Sequence, residues 1–299
     1  MQPGTCALRL AIVPLLFHVS CVALLEKPGG TDTAPGPAGG GAGTSNSGGD
    51  ADTDIDADTD TDTDTDTDTD ADHSTVSGRV IDQSGSPIEG AQLILRTTTQ
   101  AFTFSTDSDG QFAFGGAYDG RWALQIKGPS GSHQAAVLFF IDIPESEDVH
   151  LTTDIVVPDY TTTTALTGPM WVEIDSALSV DIDPDGYEAE LGSPSDEPVL
   201  SGVRINLTDW GLGLDGVDGE VLAGWYLGAY NAQVAPSWPV QINDLSGVSP
   251  GESLHLYAAS YPDLEWVSAG TATVNDAGQV TSDSGAGLSV LSTFIVVRP

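Results

Sequence analysis

Val76-Ser77-Gly78-Arg79-Val80-Ile81 alternates small or apolar residues with polar ones, which is the period of a strand with one buried face. Similar runs follow along the chain, separated by clusters of Gly, Pro, Asp and Ser. They include Ala91–Leu95, Gln111–Phe114 and Trp122–Ile126. Half-buried antiparallel strands need a second sheet over their apolar face, so the sequence predicts an all-β chain of β-sandwiches.

The β pattern breaks once, at the four consecutive threonines Thr161–Thr164. We therefore predict one antiparallel β-sandwich over residues 75–158, a linker over 159–169, and a second antiparallel β-sandwich over 170–299. Each of the two segments has the length of an ordinary domain.

The first segment contains four sequence motifs in register. They are Val76–Asp82, Gly85–Ala91, Thr106–Phe112 and Gly120–Leu124. Together they resemble the carboxypeptidase regulatory-like domain. The resemblance implies a transthyretin-like β-sandwich that acts as an accessory module without chemistry of its own. Independently of it, Asp109-Gly110 is a turn sequence between two alternating runs.

The second segment ends with three strand-like stretches, Gly251–Tyr257, Glu265–Val274 and the turn-containing Asn275–Val280. Together they are similar to a β module of bacterial surface proteins. This similarity implies a β-sandwich and no activity.

The N-terminus has the layout of a secretory signal peptide over residues 1–20. Arg9 precedes the apolar stretch Leu10–Phe17, and small residues follow near Cys21. Cleavage would leave Cys21 as the first residue and the one remaining cysteine. An exported chain of this kind resembles a bacterial lipoprotein, which implies lipidation of Cys21 and a membrane anchor. The alternative is ordinary cleavage, which would give a secreted protein.

Residues 21–74 are predicted to be a disordered linker in two parts. Gly29–Gly49 is rich in Gly, Ala, Pro, Thr and Ser, and then every second residue from Asp50 to Asp72 is aspartate. Such a segment buries too little apolar surface to offset the entropy of ordering, and its charges repel one another. We interpret residues 50–72 as a Thr-Asp repeat stalk, which extends to about 60–70 Å.

The net charge of −36 arises from 44 acidic and 8 basic residues. Nucleic acid and anionic lipid headgroups are therefore poor partners on electrostatic grounds.

Catalytic motifs are missing from the sequence. No histidine stands in a zinc-binding His-Glu-x-x-His arrangement, and there is no Gly-x-Ser-x-Gly elbow or phosphate-binding glycine loop. The chain is predicted not to be an enzyme and to need no cofactor, apart from the calcium hypothesis that follows.

Asp181, Asp183 and Asp185, followed by Gly186, match the first half of a calcium-binding loop. The second half does not match, since Gly192 stands where the loop needs a bidentate glutamate. The alternative interpretation of this segment is a solvated β-turn.

Aromatic residues are dense in the middle of the second segment. Trp225, Tyr226 and Trp238 form one hypothetical ligand-binding set, because flat rings suit sugar stacking or protein contact. The alternative is that these rings anchor the core.

These observations predict a non-enzymatic, lipid-anchored cell-surface protein that displays two β-sandwich domains. Its partner would be a polysaccharide or a surface protein, and its place the cell envelope, at the outer membrane or cell surface of a Gram-negative bacterium. The alternative function is that of a secreted accessory subunit or cryptic hydrolase acting on an envelope polymer.

Overall fold

The computed structural model of the protein describes residues 74–189, 198–208, 214 and 216–299. The predicted signal peptide, Cys21 and the stalk lie outside these residues. Strands make up nearly all of the regular structure, and one short 3-10 turn (Pro184–Gly186) accompanies them. The all-β fold class predicted from the alternating sequence is therefore confirmed. Within these ranges no helix is long and apolar enough to cross a membrane.

Two facing sheets form the first half of the described chain. Its strands are β1 (Ser74–Ile81), β2 (Gln92–Arg96), β3 (Ala101–Ser105), β4 (Gln111–Ala117), β5 (Gly120–Lys127), β6 (Val137–Ile143), β7 (Val149–His150) and β8 (Ile155–Val156). One sheet has the order β4-β1-β7, with β8 also beside β1, and the other has the order β3-β2-β5-β6. Pairing is antiparallel except that the short β7 and β8 run parallel to β1.

The core of the first half lies between these sheets, as the alternating sequence predicts. Phe112, Trp122, Leu124 and Ile126 are all buried there. Gly110 lies in the predicted Asp-Gly turn with a φ of +72°, and an added Cβ would come within 2.3 Å of the Val80 carbonyl oxygen. Only glycine fits this turn, because both the backbone conformation and the close approach exclude a side chain.

A ten-stranded sheet and a three-stranded sheet form the second half. Its strands are β9 (Thr162–Ala165), β10 (Met170–Glu173), β11 (Leu178–Ile182), β12 (Tyr187–Glu188), β13 (Val199–Arg204), β14 (Glu220–Gly228), β15 (Gln233–Trp238), β16 (Val240–Ile242), β17 (Ser253–Ser260), β18 (Glu265–Val274), β19 (Val280–Ser282), β20 (Leu288–Val290) and β21 (Thr293–Arg298). The large sheet has the order β10-β11-β16-β19-β18-β17-β21-β14-β13-β9, and the small one the order β12-β15-β20. Both belong to one apolar core.

The large sheet bends so that its two ends approach each other around this core. The Trp225 indole N–H, on β14, donates to Asp175 Oδ2 in the β10–β11 loop at 3.0 Å. Thr162 Oγ1, on β9, donates to the Ile174 carbonyl oxygen at 2.5 Å. The short β10–β11 hairpin is therefore fixed in place from the opposite end of the sheet.

The two halves share a buried apolar layer, which we call the join. It lies between the outer face of β5 and β6 and the outer face of the large sheet. Its members are Ala123, Ala136, Leu138 and Phe140 from the first half and Tyr230, Ala259, Tyr261, Leu264, Trp266, Ile295 and Val297 from the second. Because β5 and β6 are covered on both faces, their buried residues form nearly unbroken runs.

Polar contacts also cross the join. Thr293 Oγ1 accepts a hydrogen bond from the Leu138 N–H at 3.2 Å and donates to the Leu138 carbonyl oxygen at 3.0 Å. The Arg121 guanidinium donates to the Leu264 carbonyl oxygen at 2.9 Å. The backbone of each half thus binds side chains of the other.

The segment 159–169 contains two further connections between the halves. Its strand β9 pairs with β13 of the second half. The hydroxyl of the partly buried Tyr160 accepts a hydrogen bond from the Ala136 N–H at 3.2 Å. Residues 159–169 are therefore built into the fold.

Candidate functional site

The three aromatic residues that were candidates for ligand binding are buried. Trp225, Tyr226 and Trp238 all lie inside the protein. Trp225 and Trp238 belong to the core of the second half, and Tyr226 packs into the core cluster of the first half. In this arrangement none of the three rings presents a face to a ligand in solution.

Hydrogen bonds hold two of these rings in place. The Trp225 indole donates to Asp175 Oδ2, and the Trp238 indole donates to the Asp183 carbonyl oxygen at 3.1 Å. The Tyr187 ring stacks on Trp238 with 6.4 Å between ring centroids. A buried indole needs such an acceptor, so these contacts fit the alternative interpretation, in which the rings are core anchors.

The three aspartates of the calcium hypothesis have different surroundings. Asp181 lies on β11, whereas Asp183 precedes the 3-10 turn and its Oδ1 accepts the Asp185 N–H at 3.1 Å. In the described part of the chain no three carboxylate, histidine or cysteine side chains form a group that could hold a metal ion. The Asp183 carboxylate instead caps a solvated turn, as the alternative interpretation has it.

The most exposed large apolar side chains of the second half are on β10. Trp171 is 50% exposed and Met170 is 39% exposed, and Tyr118 is the other large apolar residue of the described chain with comparable exposure. β10 is also the terminal strand of the large sheet and pairs with β11 alone among the described strands. Two large apolar side chains thus coincide with an open sheet edge.

Two acidic residues share the outer face of the sheet with Trp171. Trp171 is directly opposite Asp181 on β11, and Glu173 lies two residues further along β10 on the same face. Within the described ranges neither carboxylate has a hydrogen bond or an ion pair. Val172, between Trp171 and Glu173, points into the core. We call Met170, Trp171, Glu173 and Asp181, together with the backbone of β10, the β10 edge.

The described arginines and the described lysine have partners other than Glu173 and Asp181. Three arginines pair with carboxylates: Arg79 with Asp154, Arg121 with Asp142, and Arg298 with both Glu220 and Glu252. The other three basic residues lie over aromatic rings: Arg96 over Tyr261, Lys127 over Tyr230 and Arg204 over Trp225. The negative charge of the β10 edge is therefore not compensated by these side chains.

The sequence contained a signal for Trp171 that was missed. Val172 and Ile174 are the inward positions of an alternating run, so Trp171 falls in the phase that normally carries polar residues. A tryptophan in the polar phase of a strand indicates an exposed ring more directly than aromatic density does.

Comparison with known families confirms the resemblance seen in the first half. Residues 75–168 match the carboxypeptidase regulatory-like domain. The match extends beyond residue 158 and includes β9, which pairs with the second half of the chain. The domain predicted from four sequence motifs is thus shown, and its last matched strand belongs to the large sheet.

Solved structures give distant similarities. A protein of Bacteroides uniformis described as carbohydrate-binding is 9% identical, with 75% of this chain and 79% of that chain covered and a TM-score of 0.24. A DUF3823 family protein of Parabacteroides merdae is 12% identical, with 76% and 98% covered and a TM-score of 0.23. A streptococcal ancillary pilin is 16% identical, with 53% and 54% covered and a TM-score of 0.26. This chain therefore spans about half of the pilin's length.

A search of curated proteins finds no match to the sequence. The family match over 75–168 is accordingly the comparison that bears on the fold.

Proposed function

We propose that this chain is a non-enzymatic protein of the cell envelope that a lipid on Cys21 holds to a membrane, at the outer membrane or cell surface of a Gram-negative bacterium. Its described β unit would bind an extracellular polysaccharide or surface protein, and the stalk of residues 50–72 would set the distance between anchor and binding surface.

The β10 edge is the observation that carries the binding role. An exposed indole and an exposed thioether lie on β10, and the carboxylates of Glu173 and Asp181 have no hydrogen-bond or ion-pair partner among the residues that the structure describes. Tryptophan is enriched among the residues that contribute most of the binding energy at protein interfaces.

A rigid support favours the same role. The join ties the two halves through a continuous apolar layer and through hydrogen bonds to the Leu138 and Leu264 backbones. A surface presented on such a unit needs little ordering when a partner binds, so less free energy is lost on association.

Metabolic labelling with a palmitate analogue tests the anchor. We expect the wild-type protein to carry the label in the membrane fraction, and Cys21→Ala to be unlabelled and released. Cys6→Ala is the matched control, since Cys6 lies in the predicted signal peptide, and its product should be labelled as the wild type is. Unlabelled wild-type protein in the medium would contradict the anchor and favour the secreted alternative.

A further inference from the structure

We infer that the β10 edge is a docking site for a basic segment of a partner protein, which pairs with β10 as an added strand. This inference rests on the proposed binding function and names its site and its partner class.

The backbone register leaves hydrogen-bonding groups of β10 open to a partner. The Ile174 N–H donates to the Leu178 carbonyl oxygen at 2.8 Å, so the residues that bond to β11 are the alternate ones, 170, 172 and 174. The N–H and carbonyl groups of Trp171 and Glu173 therefore point away from β11. No described strand pairs with β10 on that side, and the described contact from β9 is the bond of Thr162 Oγ1 to the Ile174 carbonyl oxygen, beyond Glu173. An added strand would therefore satisfy the groups of Trp171 and Glu173.

The side chains of β10 specify the chemistry of that strand. On the outer face, Glu173 and Asp181 flank the Trp171 ring, and a lysine or arginine placed there would gain both carboxylate and cation–π contacts. On the inner face, the exposed Met170 side chain would be covered by an apolar residue. A segment that alternates basic and apolar residues matches both faces.

Charge argues against a second copy of this chain as the occupant. A copy pairing through its own β10 would bring Glu173 and Asp181 against the same carboxylates, and β10 contains no basic residue. Two other edge strands, β3 and β9, contain no charged residue at all. Of these three edges, β10 is the one whose acidic side chains complement a basic strand.

The edge is held in position before any partner binds. Asp175 Oδ1 accepts the N–H groups of Ala177 and Leu178 at 2.8 and 2.7 Å, which closes the β10–β11 hairpin. Asp175 Oδ2 accepts the Trp225 indole, and Thr162 Oγ1 binds the Ile174 carbonyl oxygen. These bonds connect the hairpin to strands at the other end of the sheet, so docking requires little reorganisation.

Fluorescence anisotropy with the full chain and two labelled peptides tests the inference. The probe is Lys-Val-Arg-Val-Lys-Val, and the control peptide is Lys-Lys-Arg-Val-Val-Val, with the same composition but no alternation. The aspartates of the stalk attract any basic peptide, so the readout is the ratio of the two affinities. At an ionic strength of about 0.15 M we expect the alternating peptide to bind about tenfold more tightly.

Variants then assign the preference to the β10 edge. We expect Trp171→Ala and, separately, Glu173→Gln to reduce the ratio to near one, whereas Thr163→Ala on the β9 edge should leave it unchanged. Methylation of alternate amide nitrogens of the probe should also remove the preference, because it removes the donors of an added strand. The conservative Glu173→Gln variant keeps the test valid if Trp171→Ala alters the fold.

Equal binding of the two peptides to the wild type would overturn the inference. So would an affinity ratio of the two peptides that stays the same in Trp171→Ala and Glu173→Gln. A third contrary outcome is Trp171-dependent binding of a neutral polysaccharide without any preference between the peptides. None of these outcomes changes the result of palmitate labelling. Failure of the docking-site inference is therefore distinguishable from failure of the proposed lipid anchor on Cys21.

Discussion

The join and the β10 edge each have a tryptophan on the outer face of the same ten-stranded sheet. One ring is buried and the other is exposed. In the join, the Trp266 ring meets Phe140 edge to face, with 6.1 Å between ring centroids, and Trp266 is 6% exposed. At the β10 edge, no described element covers Trp171, which is 50% exposed. Strand alternation sets the face on which each ring lies, and the layer packed on that face decides whether the ring is core or surface.

The same substitution at both places provides the strongest contrast. We expect Trp266→Ala to lower the free energy of unfolding by about 3–5 kcal/mol, because it opens a cavity in the join. Trp171→Ala should lower it by less than about 1 kcal/mol, because the indole is largely solvated. Urea unfolding followed by circular dichroism measures both values, and equal losses would break the comparison.

Trp266→Ala also tests whether the halves depend on each other. Since the join contributes backbone contacts to both halves, the variant should unfold in one cooperative transition at lower urea concentration. Two transitions, with one at the wild-type midpoint, would show that one half folds without the other.

A second pair of substitutions compares two aspartates of the β10–β11 hairpin. Asp175 accepts three hydrogen bonds, including one from the buried Trp225 indole, whereas no described group binds the Asp181 carboxylate. Asp175→Ala should cost about 2–3 kcal/mol, because a buried donor loses its acceptor. Asp181→Ala should change stability by less than about 0.5 kcal/mol. Thermal melts of the two variants side by side check this, and similar melting temperatures would argue against it.

Alkaline titration tests the burial of Tyr160, whose hydroxyl binds the backbone of Ala136 in the join. Burial raises the pKa of the Tyr160 phenol to about 12 from its usual value of 10.0. Its contribution to stability is fully present below pH 10 and is lost as the pH rises toward 12, because the unfolded chain releases the proton first. At pH 11 the loss is about 1 kcal/mol, and Tyr160→Phe should remove it.

Burial also raises the pKa of the Tyr226 phenol, so part of the alkaline loss should persist in Tyr160→Phe. The double variant Tyr160→Phe/Tyr226→Phe is expected to flatten the curve of stability against pH further. If the curves of the wild type and the double variant have the same slope between pH 10 and 11, the phenols are not buried as described.

Local sequence was sufficient to predict the class of fold and the family resemblance of the first half. Alternation gives strand positions, and Asp109-Gly110 forms a turn that only glycine allows. The join was not predicted, because it depends on contacts between residues far apart in the chain, such as Phe140 and Trp266. The sequence reflects the join only in the nearly unbroken apolar runs of β5 and β6. Such runs indicate strands that are covered on both faces.

The prediction of ligand-binding residues used aromatic density, which does not distinguish core from surface. Trp225 is packed in the core of the second half, and Asp175, in the β10–β11 loop 50 residues earlier in the chain, accepts its indole N–H. Trp171 lies outside the aromatic cluster, yet its position between inward-facing neighbours places it on the surface. For this chain the phase of a residue within its strand was the more informative property.

Amide-resolved hydrogen exchange of the full chain tests the central claim, that β10 is an open edge which accepts a basic strand. In the free protein, the Trp171 and Glu173 amides should exchange fast and the Val172 amide slowly, because the register directs them to opposite sides. Adding Lys-Val-Arg-Val-Lys-Val should slow the Trp171 and Glu173 amides and leave Thr103 on the β3 edge unchanged. Protection of the Trp171 and Glu173 amides before the peptide is added, or no slowing after it, would contradict the account.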